Sequence, residues 1–124
     1  MKILVLDDQA DEFIRLRRAA QEDMSITLVL TMTPATAETA LKGGGFDALL
    51  LDGHLEGFYG PEINGPDVLR DWRFRGMQLP PVFMISSDKE MQNKGMLAGA
   101  TGTIDKQLLN RGELQTLKKL IIAD

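Results

Sequence analysis

The chain reads as a doubly wound α/β sheet of five parallel strands, and three observations carry that reading. Strand-like and helix-like segments alternate from one end of the 124 residues to the other. Three strand-like runs are apolar throughout: Ile3-Leu4-Val5-Leu6, Ala48-Leu49-Leu50-Leu51 and Val82-Phe83-Met84-Ile85. Short continuous apolar runs belong to strands buried on both faces, as in parallel sheets covered by helices. Each of the three then stops on an oxygen-bearing side chain: Asp7-Asp8, Asp52 and Ser86-Ser87.

The elements follow in order. After Asp8, Ala10 to Gln21 carries Phe13, Leu16 and Ala20 at helical spacing, with Arg15, Arg17 and Arg18 elsewhere. The arginines read as a solvated face or as a docking surface. Ile26–Leu30 is the second strand. Thr33 offers an N-cap with Pro34 behind it, and that helix runs to about Leu41 before Gly43-Gly44-Gly45 stops it. The third strand ends at Asp52, and Gly53–Gly65 is a glycine-rich loop. Pro66 opens a helix whose inner face holds Val68, Leu69 and Trp72. Ser87 and Glu90 match a capping box behind the fourth strand, with Met91, Gly95 and Ala98 inward and Gly99 at the end. Gly102-Thr103-Ile104 is the fifth strand and leads to Asp105-Lys106. Asn110 and Glu113 repeat the capping pattern for a last helix with Leu114, Leu117 and Ile121 inward. Five strands and five helices result, joined by right-handed crossovers.

Composition narrows the function. The length suits one domain with its own core. There is no cysteine, which removes disulfides and thiolate metal sites. A net charge of −4 leaves no basic footprint, so no nucleic-acid partner is expected. No apolar run is long enough to span a bilayer, and a strand beginning at Ile3 leaves no room for a signal segment. A cytoplasmic protein with no membrane partner is the expectation.

Five parallel strands commonly take the flavodoxin-like order 2-1-3-4-5, with the ligand crevice where the winding reverses between strands 1 and 3. Asp7, Asp8 and Asp52 would meet there. Three ionised carboxylates at close range require a proton or a cation among them, and hard oxygen ligands suit Mg²⁺. Such an ion would screen an incoming phosphoryl group, leaving Asp52 free to act as nucleophile and form an acyl phosphate. Lys106 and Ser86, on neighbouring strands, would supply a cation and a hydroxyl to the phosphoryl oxygens.

The segments V-L-D-D, D-A-L-L-L-D, M-I-S-S and A-G-A-T-G-T-I-D-K resemble, in order and over the whole chain, the four signatures of receiver domains of two-component response regulators, of the chemotaxis-regulator type. The resemblance implies one receiver domain over residues 1–124 with no output domain. It implies that Asp52 is the phosphoacceptor and that Asp7, Asp8, Asp52 and the backbone carbonyl of His54 hold Mg²⁺. Ser86 takes the place of the phosphoryl-binding Thr/Ser and Lys106 that of the family lysine. The implied partners are a histidine kinase or histidine phosphotransfer protein and an unidentified downstream protein. Catalysis would extend to the chain's own phosphorylation and dephosphorylation and no further.

The chain departs from the family in three places. Leu55-Glu56 replaces Met-Pro after the acceptor strand, and Gly65 fits the usual glycine only after an insertion. Phe58 and Tyr59 in that insertion would either fold over the site or pack locally. Thr103 replaces the aromatic residue whose ring swings inward on phosphorylation. Gln107 replaces the proline after the lysine; a cis bond there would cost about 3 kcal/mol, so a trans bond is expected. The His54 imidazole either acts on the acyl phosphate or points to solvent. These departures keep a second function open, a phosphorylation-independent interaction module. An aspartyl phosphatase is disfavoured because Asp7-Asp8-Gln9 lacks D-x-D-x-T. Flavin binding is disfavoured because carboxylates stand where its phosphate would sit.

Overall fold

In a computed structural model, residues 1–9, 13–55 and 64–123 are described, with the side chains of all but Asn110 and Ala123. The expected helix start at Ala10 and loop residues 56–63, with Phe58 and Tyr59, lie outside them.

The apolar runs form five parallel strands: β1 (Lys2–Leu6), β2 (Thr27–Thr31), β3 (Ala48–Asp52), β4 (Val82–Ile85) and β5 (Gly102–Ile104). Their order is β2-β1-β3-β4-β5, the flavodoxin-like arrangement, as expected. Side chains alternate along each strand, which splits the core in two. Ile3, Val5, Leu50, Phe83, Ile85 and Ile104 pack with Phe13, Leu16, Leu117 and Ile121 on one face. Leu4, Leu6, Leu49, Leu51, Val82 and Met84 pack with Leu41, Val68, Leu69 and Trp72 on the other. Each such side chain contributes about 1.5–3 kcal/mol of burial, so register is fixed firmly on both faces.

Among the described residues, six helices flank the sheet: α1 (Ile14–Glu22), α2 (Pro34–Gly43), α3 (Gly65–Phe74), α4 (Lys89–Leu97), α5 (Lys106–Asn110) and α6 (Leu114–Ala123). Thr33 caps α2, accepting from the Thr36 amide at 3.1 Å. Gly44 and Gly45, at φ 72° and 84°, take the backbone out of that helix through a region closed to most side chains. α3 opens with a capping box: Asn64 Oδ1 accepts from the Asp67 amide, and Asp67 Oδ2 accepts from the Asn64 amide.

Four sequence expectations need correction. The second strand lies one residue later than Ile26–Leu30, because Thr27 pairs with Lys2 and Ile26 turns into the core. The cap of α4 is Asp88, not Ser87: the Asp88 carboxylate accepts from the Glu90 amide at 2.9 Å. A carboxylate is the stronger acceptor at a helix start, and the Ser87 hydroxyl is turned to Asp105 instead. A helix not expected from the sequence, α5, arises because Asp105 caps a turn at Lys106, accepting from the Gln107 amide. Asn110 therefore ends α5 rather than starting the last helix, while Glu113 directly precedes α6, its carbonyl accepting from the Leu117 amide. The Lys106–Gln107 peptide bond is trans, as expected.

Candidate functional site

Register alone brings the strand-end residues together. Leu6 pairs with Leu51, so Asp7 and Asp52 leave adjacent strands at the same level. Ile85 pairs with Asp52 and with Ile104, which sets Ser86 one step beyond the end of β3 and level with Asp105. The carboxylates of Asp7, Asp8 and Asp52 offer oxygens lying within 4.8 Å of one another. Lys106, at the first position of α5, reaches back across the sheet edge to them.

Asp7 and Asp52 are held in the same way. Each uses Oδ1 to accept a backbone amide two residues on, Gln9 at 2.7 Å and His54 at 3.3 Å. That bond aims Oδ2 into the crevice. Both Oδ2 atoms are buried and accept no hydrogen bond, and both face the Lys106 ammonium, at 3.6 Å from Asp7 and 3.5 Å from Asp52. Burial raises the Asp52 carboxyl to about 7, and the neighbouring Asp7 adds to the rise; Lys106 and the His54 amide oppose it.

Ser86 is buried, and its Oγ accepts from the Asp88 amide at 3.0 Å, which leaves the hydroxyl proton for another acceptor. Gln92 Nε2 holds the Ser86 carbonyl at 2.7 Å. No sequence signal pointed to Gln92, which is six residues away on the next helix. His54 is exposed, and its backbone pairs with Asn64 in an isolated antiparallel bridge. The Gly65 amide also donates to the Gly53 carbonyl. The two ends of the long loop are thus pinched together directly beside Asp52. Thr103 is exposed, and Arg15, Arg17 and Arg18 are exposed along α1.

The residues fit a divalent cation. Two buried carboxylate oxygens without hydrogen-bond partners stand beside a third carboxylate, a donor set that a divalent cation would satisfy. Hard oxygen donors of this kind suit Mg²⁺.

No protein-family model matches the chain, and no curated protein does. Among solved structures, it is similar to a two-component response regulator from Clostridium difficile, with a TM-score of 0.75 at 19% identity over 99% of this chain and 96% of the other. It is similar to the receiver domain of NtrX from Brucella abortus, TM-score 0.73 at 22% identity, covering 98% of both chains. It is also similar to the chemotaxis protein CheY4 of Vibrio cholerae, TM-score 0.71 at 20% identity over 95% and 96%. The structural neighbours are response regulator receiver domains, and the chain has their fold. Among the described residues, no helix is long and apolar enough to cross a membrane.

Proposed function

We propose that this chain is a receiver that accepts a phosphoryl group on Asp52, with Mg²⁺, and signals by protein contact. The observation that carries the reading is the pair of buried Oδ2 atoms on Asp7 and Asp52, both facing Lys106.

Asp7, Asp8, Asp52 and the His54 carbonyl would hold Mg²⁺, which supplies positive charge opposite the phosphoryl oxygens. The Asp52 carboxylate attacks phosphorus. The P–N bond to a partner's phosphohistidine breaks, and the imidazole nitrogen keeps the electron pair and takes up a proton. Lys106 gives its ammonium to the phosphoryl oxygens in exchange for part of its pairing with Asp52 Oδ2. Ser86 donates its hydroxyl proton to a phosphoryl oxygen while still accepting from the Asp88 amide. In hydrolysis, water attacks phosphorus, the O–P bond to Asp52 breaks, and the carboxylate returns. The chain's catalysis is confined to its own phosphorylation and dephosphorylation. Its donor is a histidine kinase or a histidine phosphotransfer protein, and its downstream protein is a partner of unspecified chemistry.

A second reading, an interaction module that works without phosphorylation, is favoured by Thr103, an exposed small residue where the family carries its switching aromatic. Intact-mass measurement after incubation with acetyl phosphate separates the two. The phosphoacceptor reading predicts a gain of one phosphoryl group that needs Mg²⁺ and vanishes in Asp52→Asn. Wild-type protein that stays unlabelled, where another receiver is labelled in parallel, leaves the second reading.

A further inference from the structure

We infer that Asp105 is a positioning residue that ties Ser86 to Lys106 through Ser87. The inference rests on the phosphoacceptor reading and adds to it the route by which the two phosphoryl-binding groups move together.

The β4–α4 connection carries Ser86 and Ser87, and the β5–α5 junction carries Asp105 and Lys106. One oxygen joins them. Asp105 Oδ1 accepts from the Ser87 hydroxyl at 3.1 Å and from the Gln107 amide at 2.9 Å. The first bond reaches across the sheet edge, 18 residues back in sequence. The second is the N-cap of the helix that begins with Lys106. A shift of the Ser86-Ser87 segment toward a phosphoryl group therefore pulls on the atom that sets the start of α5, and with it the root of the lysine side chain.

Ser86 is already held on its other side, its hydroxyl by the Asp88 amide and its carbonyl by Gln92. The connection moves as a unit rather than as one rotating side chain. Ser87 and Asp105 are both exposed, so neither is needed to fill the core, and a burial role does not explain their pairing.

The test follows backbone amides by NMR as acetyl phosphate and Mg²⁺ are added, with labelling checked by mass. In the wild type, the amides of Ser87, Asp88 and Gln107 shift together. Ser87→Ala removes the donor and leaves the Asp105 cap intact. The amides of residues 87 and 88 then still respond, while the Gln107 response is lost. Ser87→Thr keeps the Gln107 response, and so does Asp105→Asn in the presence of Ser87, since its side-chain oxygen accepts both bonds; Asp105→Ala does not. A Gln107 response in Ser87→Ala equal to that of the wild type overturns the inference and leaves the phosphoacceptor reading standing. Wild-type protein that gains no phosphoryl mass overturns both.

Discussion

Lys106 faces Asp52 as an ion pair rather than a hydrogen bond: its Nζ stands 3.5 Å from an oxygen that is buried and accepts no proton from any neighbour. Asp7 presents its own buried Oδ2 to the same ammonium at 3.6 Å. The same ammonium thus faces both buried carboxylates.

The pH dependence of stability has a definite sign. Asp52 is raised to about 7 in the fold from an ordinary value of 3.8. Between those values the folded state holds a proton that the unfolded chain releases. The contribution of this group is therefore complete below about pH 4 and is lost as pH rises through about 7. In chelator at pH 8, Asp52→Asn should be more stable than wild type by roughly 1–3 kcal/mol. The two should converge toward pH 4. Urea denaturation at both pH values checks this, and an Asp52→Asn protein less stable at pH 8 would contradict it.

Mg²⁺ should act in the opposite sense. It should raise the melting temperature of the wild type at pH 8, where the carboxylates are ionised, and do little at pH 5, where the proton occupies the site. Asp52→Asn should blunt the effect at pH 8. A thermal melt with matched ionic strength is the measurement.

Lys106→Met leaves two buried carboxylates facing each other. In chelator at pH 8 the variant should lose about 1–3 kcal/mol, and saturating Mg²⁺ should restore much of that loss. Labelling of Asp52 should remain slow, by about a hundredfold, since the ammonium that faces Asp52 Oδ2 is gone. Full-speed labelling in Mg²⁺ would remove the lysine from the chemistry.

Gly65 stands against the end of β3, where a Cβ would collide with the carbonyl oxygen of Asp52 and crowd Gly53. These neighbours are backbone atoms and cannot swing aside. Gly65→Ala should cost about 1–3 kcal/mol, seen as a lower urea midpoint with an unchanged slope. Slower labelling should accompany it, because the same shift moves Asp52.

Asn64 closes the capping box of α3 one residue earlier. Asn64→Ala should cost about 1 kcal/mol, whereas Asn64→Asp should be nearly neutral because its carboxylate caps equally well. Denaturant titration distinguishes the two.

The strands and the inner faces of the helices were legible because burial leaves a period in the sequence: Phe13 just before α1, Leu16 and Ala20 on it, and Val68, Leu69 and Trp72 on α3 are buried as spaced. The meeting of Asp7, Asp8 and Asp52 was legible for a related reason. A parallel sheet wound in two directions places the ends of its first and third strands side by side. What escaped was short or distant. A five-residue helix such as α5 is too short to show a period. The choice between Ser87 and Asp88 as cap depended on Asp105, 18 residues away from Ser87, which takes the serine hydroxyl. Gln92 reaches Ser86 through a turn that the sequence alone does not describe.

The central claim is that the carboxylate of Asp52, and no other, takes the phosphoryl group. Borohydride reduces an acyl phosphate at aspartate to homoserine, so the site can be read directly by peptide mass spectrometry after labelling with acetyl phosphate and Mg²⁺. Homoserine is expected at position 52 alone. Homoserine at Asp7 or Asp8, or a labelled protein whose Asp52 peptide is unchanged, would contradict it.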